Sequence, residues 1–206
     1  MRTPHLASLV GAIGIALVIL VGVALTSGGR PMITANEPVV PSLQHVVPPT
    51  TTTETMAPRP GSLVLDGVNP CTILTRSQRT DLSLDSTPTP YTDASFAQAK
   101  ACSIRGLESG TVARLALVLD MGVDVWLSSE AQVQTEQVKA AGFPALVVRT
   151  PGLTDACAVD VDTGQNQFLD VLFRDGGNTP PIPQNTLCLG AQRVAEAAVT
   201  SLKQHH

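Results

Sequence analysis

Residues 66–206 predict an α+β domain: about five mostly antiparallel strands, packed by helices on one face. Three observations carry this. Short apolar stretches alternate with Gly, Pro and Asp turn signals, the last stretch is amphipathic at helical spacing, and four cysteines are spread through the region. The short connections between neighbouring strands require antiparallel pairing.

The elements follow in order. Asn69-Pro70 opens a helical turn, with Asn as N-cap and Pro at the first helical position. Thr75 followed by Gln78 forms a capping box that restarts a helix. Pro88-Thr89-Pro90 forces a loop, because proline removes a backbone donor and fixes φ. Ala101–Arg105 and Val112–Asp120 read as strands joined at Gly106–Gly110. A helix is expected from Ser129 to about Ala141, stopped by Gly142 with Pro144 after it. Ala145–Arg149, Ala156–Val161 and Gln167–Phe173 complete the strands, with turns at Pro151-Gly152 and Asp162-Thr163-Gly164. In the last helix, Leu187, Ala191, Val194, Ala195, Ala198, Val199 and Leu202 share one face.

The N-terminal third does not read as globular. Leu6–Leu25 carries no charge, and its 20 residues match the thickness of bilayer hydrocarbon. A secretory signal has a shorter apolar core, so the length predicts an uncleaved transmembrane anchor over residues 1–30. A long signal cut near Ala35 is the competing reading. Residues 31–65 are rich in proline and hold the run Thr50–Thr53, which predicts an extended, disordered stalk. The absence of Cys next to the apolar run excludes a lipidated N-terminus by that route.

Cys71, Cys102, Cys157 and Cys188 form an even set without any Cys-x-x-Cys, which fits two disulfides in an oxidising, extracytoplasmic compartment. Three pairings are possible. Cys71 and Cys188 lie near helix starts and Cys102 and Cys157 in strands, so Cys71–Cys102 and Cys157–Cys188 are expected to tie helix to sheet.

Asn69-Pro70-Cys71-Thr72-Ile73-Leu74-Thr75 resembles the Asp-Pro-Cys-x-Leu-Leu-Thr opening of the DUF3558 family of exported proteins and lipoproteins from actinobacteria. Cys102 in the first strand, Cys157 in a later one and Cys188 at the Ala-rich final helix extend the resemblance over about Asp66–Leu202. Ile104 stands where the family often has an aromatic residue, and the lipobox Cys of many members is missing. The resemblance implies an envelope location and disulfides. It implies no activity and no catalytic residues.

His5, His45, His205 and His206 all lie outside the expected core, which leaves no histidine for a catalytic triad or a zinc site. Asp160 and Asp162 before Gly164 depart from the EF-hand pattern and read as solvated turn carboxylates. Asp120, Asp124, Asp155 and Asp170 are the remaining candidates for paired-carboxylate hydrolysis. Trp126, the single Trp, reads as a core anchor that could also line a pocket. A net charge of −4 with no basic run argues against nucleic acid. No cofactor, metal site or catalytic residue is expected. The expected function is a non-enzymatic binding module, single-pass in the cell membrane, with an envelope protein, lipid or wall component as partner. The alternative is a carrier or sensor of a small apolar ligand held between helix and sheet.

Overall fold

The computed structural model describes residues 55–204. The predicted anchor, most of the stalk and all four histidines lie outside them. Among the described residues, no helix is long and apolar enough to cross a membrane.

The fold is α+β, but its antiparallel sheet has seven strands rather than five. They are β1 (Thr89–Asp93), β2 (Ala99–Gly106), β3 (Thr111–Val118), β4 (Gln134–Ala140), β5 (Phe143–Arg149), β6 (Ala156–Gly164) and β7 (Gln167–Asp175). Their spatial order is β1-β2-β3-β7-β6-β5-β4. Two meanders, β1–β3 and β4–β7, are thus joined by the β3–β7 pair at the sheet centre.

Both added strands are at the edges, and each corrects an expectation. Thr89-Pro90 does not stay a loop but enters β1, where an edge position leaves one side of the strand without a ladder partner. The helix expected over Ser129–Ala141 is absent. Its second half is β4, paired with β5. Ala141 and Gly142, read as a helix end, are the two central residues of a hairpin turn, with φ of 47° and 94°. Positive φ at both positions is what a type I′ turn requires.

The capping box forms as expected at α1 (Arg76–Asp81). Gln78 N donates to Thr75 Oγ1 at 3.2 Å, and Thr75 N donates to Gln78 Oε1 at 2.8 Å. Ser201 Oγ also donates to Gln78 Oε1, at 2.9 Å, so the same side chain ties α1 to α2 (Gln184–Gln204). Asn69-Pro70 opens only a single 3-10 turn, Pro70–Thr72.

The predicted apolar face of α2 is buried in full, from Leu187 to Leu202. It packs on Leu115, Val147, Cys157, Val159, Leu169 and Val171 in the main core. Gly190 makes this close approach possible, because a Cβ there would lie 2.6 Å from the Phe173 ring. Leu63 and Leu65, assigned by sequence to the stalk, belong to this core at 4% and 0% exposure. Leu63 is pinned by N–H donation to Thr163 O at 2.8 Å and by acceptance from Gln167 Nε2 at 2.7 Å.

The opposite face is covered by connections, not by long helices. After β3, residues 119–133 cross from the sheet centre to its edge, carrying the 3-10 turn Val123–Leu127. A second 3-10 turn, Ala94–Phe96, joins β1 to β2. Their side chains and the inner residues of this face form a smaller cluster that includes Phe96, Ala116, Val123, Leu146 and Phe168.

Both disulfides pair as expected, Cys71–Cys102 and Cys157–Cys188, each across 31 residues. Each fastens a helical segment to the helix-covered face of the sheet. Equal loop lengths imply equal entropic effects on the unfolded chain. Replacing either pair by serine is expected to cost about 3–4 kcal/mol in urea unfolding, and the same for both. A large difference between the two variants would show that a pair acts through the native state instead.

Candidate functional site

Strand alternation builds the site. In β6, Cys157, Val159 and Val161 face α2, so Ala158, Asp160 and Asp162 face the other way. In β7, Leu169 and Val171 face α2, which turns Asp170 and Leu172 to the second face. The register sets Asp160 directly opposite Asp170, and Asp170 opposite Ala116 of β3. Two carboxyl groups therefore stand side by side on adjacent central strands, beneath the crossing segment. Asp160 is 0% exposed and Asp170 1%.

Such a pair needs a cation or a proton. Arg114, one step along β3 on the same face, supplies the first. Its guanidinium bonds to Asp170 and, at 2.6 Å, to Asp93 Oδ2 at the end of β1. Asp93 Oδ1 in turn accepts from Ser95 N at 2.9 Å and caps the turn that carries Phe96. The guanidinium lies 5.6 Å from the centre of the Phe96 ring. Burial works against the Arg114 charge, but Asp170 and Asp93 outweigh it and hold the arginine protonated.

Asp160 receives no such partner. No donor meets either buried oxygen in good hydrogen-bond geometry, although the Asp170 carboxyl and the Trp126 indole stand beside them. Burial, then the neighbouring Asp170 charge, pushes its carboxyl well above the usual range. Arg114 and the Trp126 indole act against that shift and do not overcome it. Asp170 is raised less, because Arg114 opposes the effect of burial. The proton of the pair therefore resides on Asp160.

Above these groups lies a cleft of about 270 Å³. Phe96 and Trp126 stand at one side, their rings edge to face at 6.3 Å. Val148, Ala158 and Leu172 line the floor with Asp160 and Asp170, and Leu153, 44% exposed, stands at the mouth. Trp126 Nε1 and Arg114 Nε are also buried without a partner. A larger hollow, about 900 Å³, lies between residues 55–62, the Val123–Leu127 turn and the β6–β7 turn. Its charged pair, Arg59 and Asp162, is already joined by two bonds of 2.6 and 2.8 Å. The smaller cleft is the stronger candidate because it gathers buried polar atoms of three residues, Arg114, Trp126 and Asp160, that lack well-placed partners.

The sequence-based candidates separate. Asp170 is in the cluster. Asp155 is at the surface, 3.3 Å from Arg174, while Asp120 and Asp124 are exposed. Asp160 and Asp162, read as solvated turn carboxylates, are instead buried on β6, and the turn falls at Gln165-Asn166. Trp126 is half-buried, packing on the second cluster and lining the cleft. Cys71, Cys102, Cys157 and Cys188 serve the disulfides. Sequence reasoning missed Asp93, Phe96, Arg114 and Asp160. The alternation of Val and Asp in Val159–Asp162 was the available signal for Asp160.

The chain matches the family model described as "Protein of unknown function (DUF3558)" over residues 26–201. No curated protein matches it, and neither does any solved structure.

Two outcomes test the cluster. Arg114→Met strands Asp93 and Asp170 without a counter-charge and is expected to cost about 3–5 kcal/mol in urea unfolding. The second concerns pH. Asp160 holds its proton in the folded state to higher pH than in the unfolded chain, so its contribution is complete below about pH 4 and is lost as pH rises through its folded pKa. Asp160→Asn should therefore flatten the fall in melting temperature above about pH 5, where unfolded carboxylates are already ionised. An unchanged pH profile would place the proton elsewhere.

Proposed function

The chain belongs to the DUF3558 family, and from that premise we propose that it is a non-enzymatic binding module of the cell envelope. In this reading Leu6–Leu25 anchors it in the membrane, the Pro/Thr-rich stalk holds the disulfide-bonded domain outside, and the ligand enters the cleft beside Phe96 and Trp126. The observation that carries the reading is a cleft with apolar walls whose buried polar atoms lack partners. Ligand sites have this composition, mostly apolar with a few placed polar groups.

The carboxyl geometry favours binding over hydrolysis. Asp160 and Asp170 project from the same wall of the cleft, on neighbouring strands. Glycoside hydrolysis needs carboxyl groups on either side of the bond to be cut. Asp170 is also committed to Arg114.

The carrier reading has one observation in its favour. A hollow of about 320 Å³ lies between α2 and β4–β5, where Leu189, 63% exposed, stands near Val138 and Val147. A carrier would retain its cargo through purification, whereas an exchanging module would not.

The single Trp makes the cleft directly observable. Small-molecule extracts of the envelope, titrated into the full chain exported through an oxidising compartment, are expected to change Trp126 emission saturably. Ala158→Leu, which fills the floor, should abolish that change and leave the melting transition in place. Release of a product from a wall or lipid substrate by the purified chain would overturn the non-enzymatic reading. Native mass spectra with added bound mass would favour the carrier.

A further inference from the structure

We propose that the cleft takes a small organic cation: an amine with a compact apolar body, its ammonium group lodged against Asp160. The inference deepens the binding reading given above and rests on it.

Asp93, Asp160 and Asp170 bring three carboxyl groups to the one guanidinium of Arg114. Arg114 is divided between Asp93 and Asp170, and its Nε makes no bond. Asp160, at 0% exposure on the lining of an open cleft, has no cation and no well-placed donor on either oxygen, only the Asp170 carboxyl and the Trp126 indole beside it. A buried acid in that position has two ways to be neutralised. It can keep a proton, as in the unliganded protein, or it can give that proton to solvent and accept hydrogen bonds from an ammonium group. The second restores the missing bonds as well as the charge.

The surroundings select the kind of cation. No group of three His, Cys, Asp or Glu side chains among the described residues comes together as a metal site. The walls are instead aromatic and aliphatic, with Trp126 and Phe96 on one side and Val148, Ala158 and Leu172 below. Aromatic faces favour organic cations, and this protein already rests one cation, the Arg114 guanidinium, on the Phe96 ring. The volume of about 270 Å³ limits the ligand to a small body, and Leu153 at the mouth offers it further apolar contact.

Proton balance gives the inference a second signature. The ammonium arrives charged, Asp160 releases one proton to solvent, and the bound state is an ammonium–carboxylate pair. Affinity should therefore rise with pH until Asp160 is ionised in the free protein, and fall again where the amine itself loses its proton. The groups that act on Asp160 are Asp170 of β7, Arg114 of β3 and the Trp126 indole of the crossing segment, while Asp93 and Tyr91 of β1 act on Arg114 and Asp93 also on Asp170. Arg114 remains protonated throughout this range.

The test uses benzylamine and its neutral counterpart benzyl alcohol, titrated into the full chain with Trp126 emission as readout. Benzylamine is expected to bind at least tenfold more tightly. Asp160→Asn should weaken benzylamine at least tenfold and leave the alcohol unchanged. The retained alcohol response reports that the Asp160 variant is folded, and Ala158→Leu, which leaves every acid in place, should remove both responses. Equal binding of the two probes overturns the cation assignment while the cleft remains a binding site. Silence from both at millimolar concentration also overturns it, and the envelope-extract titration then judges the cleft reading separately.

Discussion

Arg114 links side chains from three strands of the sheet to the turn that covers them. Its guanidinium reaches Asp93, at the end of an edge strand, and Asp170, in the middle of the sheet. Through Asp93 it fixes the turn that presents Phe96, and Phe96 packs against Trp126 and Phe168. The cover over the second face is short and irregular, and it lacks the repeated apolar stripe that holds α2 in place. A charged tie with low exposure supplies the specificity that apolar burial provides on the other side. Such ties are costly to desolvate, and their removal strands two carboxylates.

The two faces thus solve the same problem by different means. On the α2 side the residues are aliphatic, the packing is continuous, and two disulfides fasten the helical segments to β2 and β6. On the other side the central strands carry Asp160 and Asp170 where a core would place Val or Leu. That substitution weakens local packing. It also leaves a polar floor under an open cleft, and stability given up in this way is commonly found where a protein binds something.

The helix-covered face was legible because its signals are local. Thr75 and Gln78 are three residues apart, and the stripe from Leu187 to Leu202 lies within one helix. β4 was not legible because residues 134–139 are polar on both faces apart from Val138, and Gly142 suits a helix end as well as a type I′ turn. β1 was hidden by Pro90, which only an edge position permits. The alternation that places Asp160 opposite Val159 was visible, but its meaning depended on what covers that face. The cover is the connection from β3 to β4, and its path follows from strand order, which no short stretch of sequence encodes. Arg114 and Asp93 were missed for the same reason: they are 21 residues apart and meet only across β2.

The segment before the first core residue bears on how the domain responds to load. Arg59 is held by Asp162, and Leu63 by Thr163 and Gln167, so the incoming chain is fixed at the β6–β7 turn. A pull from upstream enters the sheet there, at two interior strands, and not at either edge. Edge strands peel one bond at a time, whereas β6 and β7 are each flanked by a strand on both sides. The same incoming residues lie beside the Val123–Leu127 turn, which carries Trp126. Tension on the chain would therefore be felt first at one wall of the cleft.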